Sequence, residues 1–279
     1  MSRRVAIVTD STASVPEPLV DELDITVVQL ELLVGNETND ERRIPHEDLA
    51  EAMRRGTPVA TSPPPVAAFY WNYMEAVAGG AEAIVSVHLS EGLSKTCEAA
   101  RQAAAEINIP VYVVDSRLAG MSAGYSVIAA AEAAKAGASP QGVLHVLDRR
   151  MRTATQMIYV DTLEYLRRSG RVSSAKAFVG ETLSVKPVLI MKEGGLDQLL
   201  NGIGAHRALK KAVAAAAARA GKGPVDIAVE YFQFADADRV LKMLQARVAQ
   251  PRRVTLEHTS AIIGAHVGPG ALGIAVSPA

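Results

Sequence analysis

The sequence predicts an α/β fold: an N-terminal parallel-sheet βα domain over residues 1–161, then a C-terminal mixed α/β domain over residues 162–279. Three observations carry this expectation. Short apolar runs alternate with longer helical stretches through the first half, as βα units and a parallel sheet covered on both faces require. Those runs are continuously apolar (VAIV, VYVV) rather than alternating, as befits strands buried on both sides. In the second half several apolar runs crowd around a Gly-Gly turn, which signals a hairpin.

In chain order, Val5–Thr9 reads as the first strand, ending in Asp10-Ser11-Thr12, with Pro16 placed to open a helix. Ile25–Val34 is expected as a second strand, Ala83–His88 and Val111–Asp115 as a third and fourth. Helices are expected over Pro45–Arg55, Pro65–Ala78, Ser94–Ile107 and Ala119–Ala136. Gln156–Val160, Val185–Met191 and Leu196–Leu200 then read as strands, the last two joined by Glu193-Gly194-Gly195. Helices Ala205–Ala220 and Phe234–Val248 enclose a strand at Val225–Tyr231, and Arg253–His258 and Ala271–Val276 are the final strands. The change of pattern puts the boundary near Asp161. No repeat or low-complexity linker separates the halves, so they are expected to pack closely.

Composition excludes several function classes. With 49% hydrophobic and 21% charged residues over 279 positions, the chain is globular rather than disordered. Its 29 Lys+Arg against 30 Asp+Glu leave no broad basic face for nucleic acid, and 4% aromatics make a poor stacking platform. The single Cys97 rules out an intramolecular disulfide framework and suits a reducing compartment. Charge returns too soon after the start for a signal peptide, and no apolar stretch approaches ~18 residues. A cytoplasmic protein is expected. Six His include no H-E-x-x-H and no pair at i, i+4, so no metal is expected.

Three segments offer chemistry. Thr61-Ser62 sits before three prolines; helix capping accounts for Ser62 but not for two adjacent hydroxyls. Leu89–Thr96 follows a strand and brings Ser94 or Thr96 to a helix start, where free N–H groups favour an anion. The third is Ile263–Gly273, where four glycines and a proline surround His266 and read as a tight loop presenting an imidazole. Arg167, Arg168 and Arg171 end a helix and offer a docking patch. Cys97, in a helix's first turn, reads mainly as inert core. Two rival functions stay open on these residues. A serine hydrolase or acyltransferase would use Ser94 as nucleophile and His266 as base, although Gly92-Leu-Ser94-Lys-Thr96 lacks the final Gly of G-x-S-x-G. Such an enzyme needs an acid to orient the His; Asp10 and Asp115 stand at strand ends. A phosphate-ester binder would use Gly268-Pro-Gly270 and the helix start at Ser94.

Taken together, Ile7–Thr12, Thr61-Ser62-Pro63, Gly92–Thr96, Asp115-Ser116, Leu163–Leu166 through Gly170–Ser173, Lys186-Pro187 and Gly264–His266 through Gly268–Gly270 resemble the DegV family of bacterial fatty-acid-binding proteins. The resemblance covers nearly the whole chain. It implies two domains with a long-chain fatty acid buried between them and no other cofactor. Carried over onto this sequence, it implies that Thr61, Ser94 and His266 bind the carboxylate, with Ser62 a secondary neighbour. It further implies a carrier without catalysis of its own, presenting the carboxylate to a separate fatty acid kinase, in phospholipid metabolism and with transient membrane contact. Arg171 would serve partner docking. One departure concerns the kinase: where the family carries a basic segment, this chain has Asn201–His206 and no Arg until Arg207. Either Arg207 and Lys210 then substitute, or the partner differs. Burying the tail should also require a closed state that opens for exchange, at the helix after Pro65 or the turns flanking Ser169-Gly170.

Overall fold

The computed structural model describes residues 5–172 and 185–279; Ser173 of the resemblance lies outside the described residues. The opening run is β1 (Val5–Asp10), followed by a short 3-10 turn and by α1 (Glu17–Leu23) directly after Pro16. β2 (Ile25–Val28) lies parallel to β1.

The expected single strand Ile25–Val34 is two strands in two sheets. After Val28 the chain leaves β1, and β3 (Glu31–Val34) pairs antiparallel with β4 (Glu37–Asp40) and β5 (Val59–Ser62). Val28 is buried with Phe69 and Tyr73, whereas Leu30 and Leu32 are buried with Leu49, Phe232 and Ile262. A continuous apolar run carries no mark of the point where it passes from one core to another.

α2 (His46–Arg54) precedes β5, and α3 (Val66–Ala78), β6 (Ala83–His88), α4 (Thr96–Ala104) and β7 (Val111–Asp115) follow it. The resulting four-stranded sheet has the order β2-β1-β6-β7, all parallel. Two helices come next, α5 (Met121–Lys135) and α6 (Pro140–Thr153). α6 has no continuous apolar stripe in the sequence to mark it. Ser139 caps it and Pro140 opens it, but its buried stripe is Val143, Leu147 and Arg150, so one rung is a charged residue. Eleven of the fifteen residues of α5 are buried, as a helix packed on more than one side must be. α5 packs on β1 as well as on β11 and β13, defined below, and so forms, with α6, a layer between the two larger sheets.

The second large sheet has six strands. They come from β8 (Thr155–Tyr159), β9 (Val185–Lys192), β10 (Gly195–Ile203), β11 (Pro224–Phe232), β12 (Gln250–His258) and β13 (Ala271–Pro278), in the order β10-β9-β8-β13-β11-β12. Only β11 and β12 run parallel. β8 precedes Asp161 in the chain yet lies in the middle of this sheet. The β9–β10 hairpin closes on Glu193 (φ 51°) and Gly194 (φ 81°); two left-handed residues are what a tight two-residue hairpin turn requires. α7 (Glu164–Arg168) follows β8, α8 (Ala205–Arg219) and α9 (Ala237–Gln245) cover one face of the sheet, and α10 (Ala261–Val267) connects β12 to β13. No helix among the described residues is long and apolar enough to cross a membrane.

Candidate functional site

The strand order of the parallel sheet reverses at β1 and β6, which are neighbours whose chains continue to opposite edges. The loops leaving their carboxyl ends diverge there, and such a crevice is where open α/β sheets bind ligands. One buried carboxylate ties the two loops together. Asp10 Oδ1 accepts from Thr12 N (3.1 Å) and from the Thr12 hydroxyl (2.5 Å), while Oδ2 accepts from Leu89 N and His88 Nδ1 (3.0 Å each). His88 in turn meets Ser86, which accepts from the Tyr73 hydroxyl (2.8 Å). Further along the second loop, Ser90 donates to the Gly194 carbonyl (2.6 Å). A Cβ at Gly92 would lie 2.5 Å from that same oxygen, so only glycine lets the loop rest on the β9–β10 turn.

Between these loops, the hairpin, α7 and α10 lies a partly enclosed cavity. Its walls are largely apolar, with Leu93, Ile158, Leu166, Met191, Leu196 and Val267 among them; Thr12, Thr61, Ser94, Arg171 and His266 supply its polar groups. Thr61 comes from β5, where it pairs with Leu32. Its hydroxyl is 2.9 Å from His266 Nε2. Ser62, the next residue along the strand, points to the other face and donates to Glu31 Oε2 (2.8 Å). The structure therefore turns the expected secondary hydroxyl away from the cavity. Ser94 lies just ahead of α4, which starts at Thr96, and the two hydroxyls are 2.9 Å apart.

His266 does not stand in a loop. It occupies the last turn of α10, which Ser260 caps at its start and which ends at Gly268. The glycines that suggested a loop serve packing. A Cβ at Gly264 would meet the Phe232 ring at 3.0 Å, and one at Gly268 (φ +82°) would meet Tyr165 at 2.1 Å. The Gly270 N–H donates to the Phe232 carbonyl (2.8 Å) and so is not free for a phosphate.

Arg171 sits in the cavity wall rather than on an outer docking face. It donates from Nε to the Leu93 carbonyl (3.2 Å) and from Nη1 to the Ser169 carbonyl (2.5 Å), bridging the β6 loop and the end of α7. Sequence alone could not find this, because a basic residue after a helix looks the same on either side of the wall. Burial, with Arg171 nearby, holds the His266 imidazolium well below its usual range, at about 4. The ring is therefore neutral at physiological pH, and among the described residues that line the cavity Arg171 carries the fixed positive charge. The remaining basic candidates, Arg207 and Lys210, are exposed on α8.

The acids that a hydrolase would need are engaged elsewhere. Asp10 holds Thr12, His88 and Leu89, and Asp115 accepts from the backbone N–H groups of Glu91 and Arg117. His266 Nδ1 is buried without a hydrogen-bond partner, so no carboxylate among the described residues orients the ring. Cys97 is fully buried, and desolvation pushes its thiol up, which suits an inert core position. Among the described residues no group of three His, Cys, Asp or Glu side chains could hold a metal ion.

A family model described as "Uncharacterised protein, DegV family" matches residues 4–279. A DegV domain-containing protein of Streptomyces coelicolor is 40% identical over 279 residues, 99% of each chain. Protein DegV of Bacillus subtilis is 31% identical over 276 residues, 97% of this chain and 98% of its own. Among solved structures, a fatty-acid-binding DegV family protein of Thermus thermophilus superposes with a TM-score of 0.93 at 31% identity, covering 99% of this chain and all of its own. The Bacillus subtilis DegV structure, described as a fatty acid binding protein, gives 0.89 at 30% identity over the full length of both chains.

Proposed function

The chain belongs to the DegV family, and we propose that it binds a long-chain fatty acid between residues 1–161 and 162–279 and presents the carboxylate to a separate fatty acid kinase. The observation that carries this reading is the mixed chemistry of one cavity. Its walls are mostly hydrocarbon, and Thr61, Ser94, His266 and Arg171 all contribute to it. Burying a tail contributes about 0.8 kcal/mol per CH₂, so roughly fourteen methylenes supply ~11 kcal/mol before the costs of binding. Affinity comes from the tail. The carboxylate would be expensive to bury unpaired, and the four polar residues supply donors and one positive charge. A hydroxyl, a neutral imidazole and a guanidinium can all follow a head group that changes from carboxylate to acyl phosphate.

A carrier role without catalysis is supported by the same contacts. Ser94 faces Thr96, and among the described residues no acid stands behind His266, so these contacts do not form a nucleophile–base–acid relay. The exposed Arg207 and Lys210 on α8 are the residues we assign to kinase docking. Native mass spectrometry of the chain purified from bacteria tests the lipid half of the reading: a retained mass of a C14–C18 acid supports it, and empty protein that binds phosphate esters instead overturns it. The kinase half predicts that Arg207→Ala slows phosphorylation of the bound acid and leaves its affinity unchanged.

A further inference from the structure

We propose that the acyl chain this protein accepts carries a hydroxyl group, received in a side lobe of the cavity by Gln156 and Glu230; the inference rests on the fatty-acid reading above. The lobe shares Ala119, Ile158, Ile263 and Val267 with the acyl cavity, so the two adjoin across one common wall. Its far side is polar. Glu230, on β11 and 1% exposed, accepts through Oε2 from Met121 N at the start of α5 (2.9 Å) and from Gln156 Nε2 (3.2 Å). Its Oε1 and the Oε1 of Gln156, itself 4% exposed, have no hydrogen-bond partner. The Ser14 hydroxyl lies beside the Glu230 carboxyl and acts on it as a hydrogen-bond donor that lowers its pKa against the effect of burial.

Ser14 can serve the Glu230 carboxyl, but the Gln156 Oε1 acceptor is left without a donor at this depth, and buried polar groups in folded proteins are almost always satisfied. The surroundings keep a place for it. A Cβ at Gly120 would stand 2.4 Å from Glu230 Oε2, and one at Gly273 would stand 2.8 Å from Gln156 Nε2, so glycine at both positions lets these side chains reach the lobe. The free space is about 30 Å³, enough for one hydroxyl or one water and too little for a second carboxylate. Burial pushes Glu230 up to about 7, so near neutral pH the lobe offers a donor as well as acceptors. A hydroxyl is both donor and acceptor. An unsubstituted tail passing the lobe would leave a water held there or the Gln156 oxygen bare; a hydroxylated tail would supply the missing donor across the shared wall.

The test measures binding of octadecanoic acid and a panel of its monohydroxylated isomers to the delipidated full chain. One isomer should bind at least about tenfold more tightly than the parent acid, the range expected for satisfying a buried acceptor. Gln156→Leu should abolish that preference and leave the affinity for the parent acid unchanged. If the parent acid binds as tightly as every isomer, a water occupies the lobe and the proposal is overturned while fatty-acid binding stands. A preference that survives in Gln156→Leu overturns it equally. If neither the parent nor any isomer binds, the fatty-acid reading falls and this inference with it.

Discussion

Thr61 on β5 and His266 on α10, 205 positions apart in the chain, share a hydrogen bond of 2.9 Å in the wall of an apolar cavity. The pair joins the small antiparallel sheet to the connection between β12 and β13, and so closes the cavity on one side. A ligand carboxylate that takes a bond from either group enters a network already in place.

Removing one partner of a buried charged hydrogen bond typically costs ~1–3 kcal/mol, or about five- to 150-fold in affinity. Thr61→Ala, Ser94→Ala and His266→Ala should each weaken fatty-acid binding by an amount in that range, with melting temperatures close to the parent's. Unchanged affinity in all three, in folded protein, would refute the head-group assignment.

Arg171→Ala should have two effects that a surface residue would not show. Fatty-acid affinity should drop, because the cavity loses its cation, and the His266 imidazole should titrate at higher pH, because a neighbouring positive charge that disfavours its protonation is gone. NMR titration of the ring reads the second effect directly. A His266 titration identical to the parent's would place the guanidinium too far away to matter.

Glu230 gives stability a defined pH dependence. Its folded pKa, about 7, lies above the ordinary 4.5, so the folded state holds the proton more tightly than the unfolded chain. Its contribution is therefore fully present below about 4.5 and is lost as pH rises through about 7. Glu230→Gln mimics the protonated acid at every pH. Relative to the parent, the variant should be more stable at about pH 8 than at about pH 5; thermal melts that show a constant difference would contradict the shift.

A long tail can be taken out of water in this narrow cavity only if a segment moves to admit it. Adding fatty acid should slow hydrogen exchange in α3, which follows Pro65, or in the segment around Ser169-Gly170 at the end of α7. Exchange equal with and without lipid in every peptide would mean a permanently open pocket.

Much of the fold was legible because its signals are local. Continuous apolar runs at β1, β6 and β7 announced a parallel sheet, and the Gly194-Gly195 pair announced a hairpin, whose turn takes left-handed backbone at Glu193 and Gly194. The motifs around Thr61, Ser94 and His266 were likewise visible as residues in order. What the sequence by itself determined was thus which segments become strands or helices and which side chains carry chemistry. Only the tertiary structure decided the rest. The run Ile25–Val34 divides between two sheets because Val28 and Leu32 meet different cores. Thr61 and Ser62 part company because neighbours on a strand face opposite sides, and only the pairing of β5 with β3 says which side is the cavity. α6 hid because its buried stripe includes Arg150, whose charge is met by Asp226 on β11. Arg171 faces a cavity instead of solvent, and Gln156 and Glu230 share a lobe, because elements distant in the chain converge there. Local propensity is a property of a few consecutive residues; burial, pairing and enclosure depend on chain segments that sequence order keeps far apart.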